Sequence, residues 1–133
     1  MIERRIKNAE IFRDTEQCYT TNQVLRQVVE TSTETQIFIP EKSTVCLHAL
    51  CKTEKARVIV SGKRSLEAAE NYAKQGKQVC VLNFASATNP GGGVVSGSSA
   101  QEECICRCTT LYPCLSTKMM WDVFYAPHRQ TAS

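Results

Sequence analysis

Three consecutive glycines, Gly91-Gly92-Gly93, are followed after seven residues by Gln101-Glu102-Glu103. Glycines in a row let backbone N–H groups approach a ligand without Cβ interference and permit positive φ. Rows of such amides make concave anion sites suited to phosphate or diphosphate. A carboxylate close by can donate and accept a proton. Each feature alone has a plainer reading. A glycine run can be a simple connector, and two acids at a helix start are favourable partners of the helix dipole. Together they suit a substrate that carries both a diphosphate and a bond broken by acid–base chemistry.

Such a constellation needs elements to hold it. The loop 86–93 leaves an apolar run, Val79-Cys80-Val81-Leu82-Asn83-Phe84-Ala85, of strand length. An earlier β-branched run, Arg57-Val58-Ile59-Val60, is closed by Ser61-Gly62. Between them, residues 64–75 are strong helix formers, with Leu66, Ala69 and Tyr72 or Ala73 at helical spacing and Gly76 placed to end the helix. Strand, helix, strand with short joins predicts a βαβ unit and a parallel sheet covered on both faces, hence an α/β class. Ligands in such folds sit at the carboxyl ends of strands, where this loop lies.

The remainder is helical in pattern. Residues 3–15 form a polar helix with a loose apolar face of Ile6, Ala9, Ile11 and Phe12. Thr20-Thr21-Asn22 caps a second helix over 22–32, and Gln36-Ile37-Phe38-Ile39 is a short extended piece ending at Pro40. Residues 41–55 give mixed signals and receive no assignment. A helix starts near Ser98 or Ser99 and runs through Gln101, Glu102 and Glu103 toward Leu111, with Pro113 marking its end or a kink. The aromatic tail with Met119, Met120, Trp121, Phe124 and Tyr125 calls for a packing partner. The expected organisation is one domain: 1–55 as a helical extension and first strand, and 56–133 as the βαβ unit with its loop and helix.

With 133 residues, 42% hydrophobic and 22% charged, the composition is that of a globular domain. The net charge of +3 is dispersed, with Lys and Arg never forming a basic run, so it gives no argument for DNA. No apolar stretch approaches the ~20 residues that span a bilayer, and Met1-Ile2-Glu3-Arg4-Arg5 does not open a signal core. A cytoplasmic protein without membrane attachment is expected, and its eight cysteines are expected as thiols. Cys104, Cys106, Cys108 and Cys114 cluster, but C-x-C-x-C is not the paired knuckle of structural zinc sites. Buried apolar thiols are the better reading, and no metal or other cofactor is expected.

The spacing GGG, seven residues, QEE resembles the signature of poly(ADP-ribose) glycohydrolases, and the run VLNFASATNPGGGVVSGSSAQEECICRCTTLYPCLS is similar to their compact microbial branch. The resemblance extends from the N-terminal ERR-x-K/N-x-A helix to the aromatic tail. It implies a macrodomain-like three-layer α/β/α fold with an N-terminal helical extension, and ADP-ribose or poly(ADP-ribose) as substrate. The implied reaction is hydrolysis of the ribose–ribose O-glycosidic bond, releasing ADP-ribose. By the family pattern Glu103 is the catalytic acid/base and Glu102 holds ribose hydroxyls. Gly91, Gly92 and Gly93 line the ribose and diphosphate, Gln101 is a further substrate-binding residue, and Asn89 is a polar ribose contact. Family members continue past this motif with a second phosphate loop and an adenine-stacking aromatic. The expectation is therefore an N-terminal part of that fold, with a complementary C-terminal half or chain as a possible partner. The alternatives are a non-catalytic ADP-ribose-binding module and an inactive truncated fragment. A dinucleotide-dependent oxidoreductase is set aside, because neither predicted strand leads into G-x-G-x-x-G.

Overall fold

A computed structural model of the protein describes residues 2–39 and 55–131. Its regular elements are helical. They are α1 (Ile2–Thr21), α2 (Gln23–Glu34), α3 (Ser65–Ala73), a 3-10 turn (Val94–Ser96), α4 (Gln101–Cys108), α5 (Leu111–Leu115) and α6 (Lys118–Met120). A π turn (Trp121–Tyr125) and α7 (Ala126–Thr131) complete the order. The chain divides into two compact units, Met1–Gln36 with Leu82–Ser133, and Ile37–Val81.

No strand occurs among the described residues, which overturns the α/β class and the macrodomain-like three-layer α/β/α expectation. The runs 57–60 and 79–85 have the β-branched and apolar content of strands, yet neither enters a ladder. β propensity measures fit to a pleated surface between neighbours. Without cross-strand partners it does not make a strand. Pro40 and the unassigned stretch up to 54 lie outside the described residues.

In the first unit, α1 docks through a stripe at positions 5, 8, 12, 15 and 19, spaced three and four residues apart and so on one helix face. Arg5 Nε and Nη2 donate to the carbonyl and hydroxyl of Ser96, each at 3.3 Å. Asn8 Nδ2 donates to Gly97 O at 3.0 Å, and Thr15 Oγ1 to Arg107 O at 2.7 Å. Phe12, 1% exposed, is the apolar centre of the stripe, and Tyr19 is buried at its far end. The predicted face is thus only partly right, since Ile6 and Ile11 are exposed. Phe12 joins Val94 and Cys106 in the core, with Leu111, Tyr112 and Leu115 packed around them. Its ring meets that of Tyr112 edge-on at 4.9 Å. Gly97 ends the 3-10 turn at φ +78, and a Cβ there would stand 1.9 Å from the Arg5 carbonyl oxygen. Only glycine allows this helix and this turn to come so close.

α2 is capped as expected. Asn22 Oδ1 accepts from the N–H groups of Val24 (2.9 Å) and Leu25 (3.2 Å). Just past its end, Gln36 Nε2 donates to Cys114 O on α5 at 2.8 Å. The predicted helix over the acidic pair is shorter than expected: α4 stops at Cys108, where Thr109 turns extended, and Pro113 falls in the first turn of α5. A proline costs no hydrogen bond in a first turn. In the C-terminal arm, Pro127 has no N–H, and the ladder changes register just before it, with Ala126 N–H donating to Trp121 O across the π turn.

In the unit Ile37–Val81, Arg64 N–H donates to the Glu67 carboxylate at 3.1 Å, which satisfies one backbone donor at the start of α3. Gly76 N–H reaches Ala73 O (2.9 Å) and Lys77 N–H reaches Tyr72 O (3.2 Å). That is the paired C-terminal closure expected around Gly76.

Candidate functional site

The first turn of α4 presents three consecutive polar side chains to the loop before it, each with a different task. Gln101 engages the backbone of the preceding segment. Its Nε2 donates to Leu82 O at 2.8 Å, and its Oε1 accepts from Phe84 N at 2.9 Å. Carbonyl i and amide i+2 on one side of an extended chain are the groups a neighbouring strand would take. Here one side-chain amide takes both.

Glu102 is 3% exposed, and each of its oxygens has a donor. Asn83 Nδ2 reaches Oε1 at 3.2 Å, and Ser86 N reaches Oε2 at 2.8 Å. A charged acceptor with such donors can be buried without an ion pair. Glu103 is 7% exposed. Its Oε1 accepts from Gly93 N at 3.0 Å. Its Oε2 is buried and makes no hydrogen bond among the described residues.

The glycines bring the backbone against these acids. Gly92 sits at φ +59, and a Cβ there would fall 2.6 Å from Glu103 Oε1 and 3.3 Å from Glu102 Oε2. A side chain would occupy the space the carboxylates fill. Gly91 is buried beneath the Tyr112 ring. The loop is tightly turned. Ser86 Oγ accepts from the N–H groups of Thr88 (3.3 Å) and Asn89 (3.1 Å). Gly92 N donates to Asn89 O at 3.0 Å and Val94 N to Gly91 O at 3.2 Å. The amides of Gly92, Gly93 and Val94 are therefore all engaged within the chain.

Asn89 is exposed at the mouth of the loop. Its Nδ2 donates to Thr88 Oγ1 at 3.2 Å, and its Oδ1 accepts from Arg129 Nη2. Arg129 Nε also donates to Thr88 O at 2.8 Å. The guanidinium lies 4.8 Å from the centre of the Trp121 ring, within cation–π range.

Behind the acids lie groups that feel their charge. Burial, then the carboxylates of Glu102 and Glu103, pushes the Cys106 thiol up to about 12, with Arg107 opposing. Burial, then Glu102, pushes the Tyr125 phenol up to about 12. Arg107 is buried and donates to Ser98 O and, at 3.1 Å, to Cys104 Sγ, tying α4 to the segment that leads into it.

Of the residues singled out from sequence, Gln101, Glu102, Glu103 and the three glycines come together, while Asn89 stands at the rim. Residues that sequence reasoning passed over complete the site. Asn83 had a signal, being polar in the middle of an apolar run, where a buried amide needs a partner. Ser86, Arg107 and Arg129 gave none, since nothing in the chain around them marks a backbone amide that meets Glu102 or arginines that donate to Ser98 O and Asn89 Oδ1. Among the described residues no helix is long and apolar enough to cross a membrane.

A family model of the microbial-type PARG catalytic domain, PARG being poly(ADP-ribose) glycohydrolase, matches residues 5–133. No curated protein and no solved structure matches the chain.

Proposed function

Because the chain belongs to the microbial-type PARG catalytic-domain family, we propose that it hydrolyses the ribose–ribose O-glycosidic bond of poly(ADP-ribose) with Glu103 as acid and base. The observation that carries this is Glu103 Oε2, a buried carboxylate oxygen with no hydrogen-bond partner among the described residues, on a carboxyl group whose other oxygen lies against the Gly92 backbone. Its sister oxygen is anchored by Gly93 N–H, which fixes the carboxyl group and leaves one oxygen for the substrate.

In the proposed reaction a proton on Glu103 Oε2 passes to the bridging ribose oxygen as the bond from that oxygen to the anomeric carbon breaks. The departing sugar leaves as an alcohol, and positive charge develops on the anomeric carbon and ring oxygen. The carboxylate formed on Glu103 stabilises that charge. It then takes a proton from water as the water oxygen bonds to the anomeric carbon. The acid is restored, and the sum is addition of one water across the bond.

Glu102 is suited to hold rather than to transfer. Both of its oxygens already accept from Asn83 and Ser86, which sets their direction, and each keeps a further lone pair for a ribose hydroxyl. Gln101 fixes the segment that carries Asn83 and Ser86. The glycines contribute close approach. With the amides of Gly92 and Gly93 engaged within the chain, the main part of the glycines is to remove side-chain bulk where a nucleotide sugar would lie.

The test is to mix the purified chain with poly(ADP-ribose) and follow free ADP-ribose, with calorimetry of ADP-ribose binding alongside. Release of ADP-ribose together with binding is the expected result. Binding with no release would replace the hydrolase with a non-catalytic ADP-ribose module.

A further inference from the structure

We infer that Arg129 is the cation through which this site holds the diphosphate of its ADP-ribosyl substrate, an inference that rests on the glycohydrolase reading above. A diphosphate brought beside two buried carboxylates needs donors and positive charge. The glycine loop supplies no positive charge and few donors, since the amides of Gly92, Gly93 and Val94 donate to Asn89 O, Glu103 Oε1 and Gly91 O. The other nearby arginines are turned to structural tasks. Arg107 is buried and donates to Ser98 O and Cys104 Sγ. Arg5 is held on Ser96 at the docking face of α1.

Arg129 differs on each count. It is exposed and forms no ion pair with any described residue. Two of its N–H groups hold the loop at Thr88 O and Asn89 Oδ1, four and three residues ahead of Gly92. The rest of its fork is uncommitted among the described residues. The two loop hydrogen bonds and the Trp121 ring 4.8 Å away restrain the guanidinium, so less side-chain freedom is left to lose when an anion arrives. A planar, pre-oriented guanidinium is also the side chain best matched to phosphate oxygens. The local backbone supports the placement. The π turn ahead of Pro127 sets the register that brings Trp121 and Arg129 onto the same side of the arm.

The experiment is calorimetry of ADP-ribose binding, paired with turnover on the polymer, for the wild-type chain, Arg129→Ala, Arg129→Lys and the control Arg13→Ala, an exposed arginine of α1. Arg129→Ala should weaken ADP-ribose binding about 10- to 100-fold, the range for losing a charge-assisted contact. Arg129→Lys, which keeps the charge and loses the fork, should fall between, and Arg13→Ala should stay within about twofold of wild type. Inorganic pyrophosphate should compete with ADP-ribose on the wild type and lose that competition in Arg129→Ala. Should Arg129→Ala fail to fold, Arg129→Lys and the pyrophosphate competition on the wild type carry the test. Equal ADP-ribose affinity in wild type and in a folded Arg129 variant overturns the inference, including the case where turnover alone falls. If the wild type itself binds no ADP-ribose, the glycohydrolase reading fails first and this inference goes with it.

Discussion

Two stretches of irregular chain, 57–60 in the unit Ile37–Val81 and 82–86 in the unit that carries the acids, are similar in apolar content and differ in how they are held. In the first, Val58 is 85% and Val60 92% exposed. In the second, Phe84 is also 71% exposed, yet Leu82, Asn83, Phe84 and Ser86 are each gripped by a side chain of α4's first turn. Apolar burial does not distinguish the two. The difference is that Gln101 and Glu102 offer amide and carboxylate groups where a sheet would have offered a neighbouring strand. Order around this site comes from polar side chains acting on backbone.

That contrast can be broken most forcefully at Gly97. Gly97→Ala would place a Cβ on the Arg5 carbonyl and force a positive φ on an L side chain. It should cost about 3 kcal/mol or more, from strain and overlap together, read as a fall in the urea midpoint with α1 undocked. A neutral result would mean that α1 does not brace the loop. Next comes Glu102→Leu. A side chain without an acceptor takes the partner from both Asn83 Nδ2 and Ser86 N. The expected loss is about 1–3 kcal/mol for a buried donor left unpaired, measured by thermal melting.

A graded loss follows with alkali. The Cys106 thiol rises from 9.0 to about 12 in the fold and the Tyr125 phenol from 10.0 to about 12. Both groups are neutral when protonated, so the unfolded chain releases its protons first. Stability is fully present below pH 9 and declines as pH rises from there toward 12. The melting temperature should fall across that window, and Cys106→Ala should flatten the slope. An unchanged slope would show that Cys106 is not protonated in the core. Smallest of all is Gly62→Ala in the other unit. No atom lies within 4 Å of its added Cβ, and its φ is not positive. Its effect should stay within about 0.5 kcal/mol, and a large loss would give that stretch the tight packing reserved here for the site.

The parts of the molecule legible in sequence are those set by neighbours in the chain. Asn22 reads as a cap and Gly76 as a stop because each acts within five residues. The meeting of Gly92, Gly93 and Glu103 spans about ten residues, close enough for a spacing motif to record. The sheet was misread because Val58, Val60, Val79 and Val81 report affinity for a neighbouring strand without reporting whether one is there. Arg129 was invisible, since nothing in its surroundings marks an arginine that returns across forty residues to Asn89. The docking stripe of α1 was missed for a related reason. A helix that binds through Arg5, Asn8 and Thr15 around one phenylalanine leaves almost no apolar period to find.

The central claim concerns one oxygen atom, Glu103 Oε2. The most direct measurement is ADP-ribose release from poly(ADP-ribose) by Glu103→Gln beside the wild type, with ADP-ribose affinity measured on both. Loss of turnover by about 10²- to 10⁴-fold, the contribution of a positioned acid/base, with affinity kept within a few fold, is the predicted result. Wild-type turnover in the variant would contradict the account.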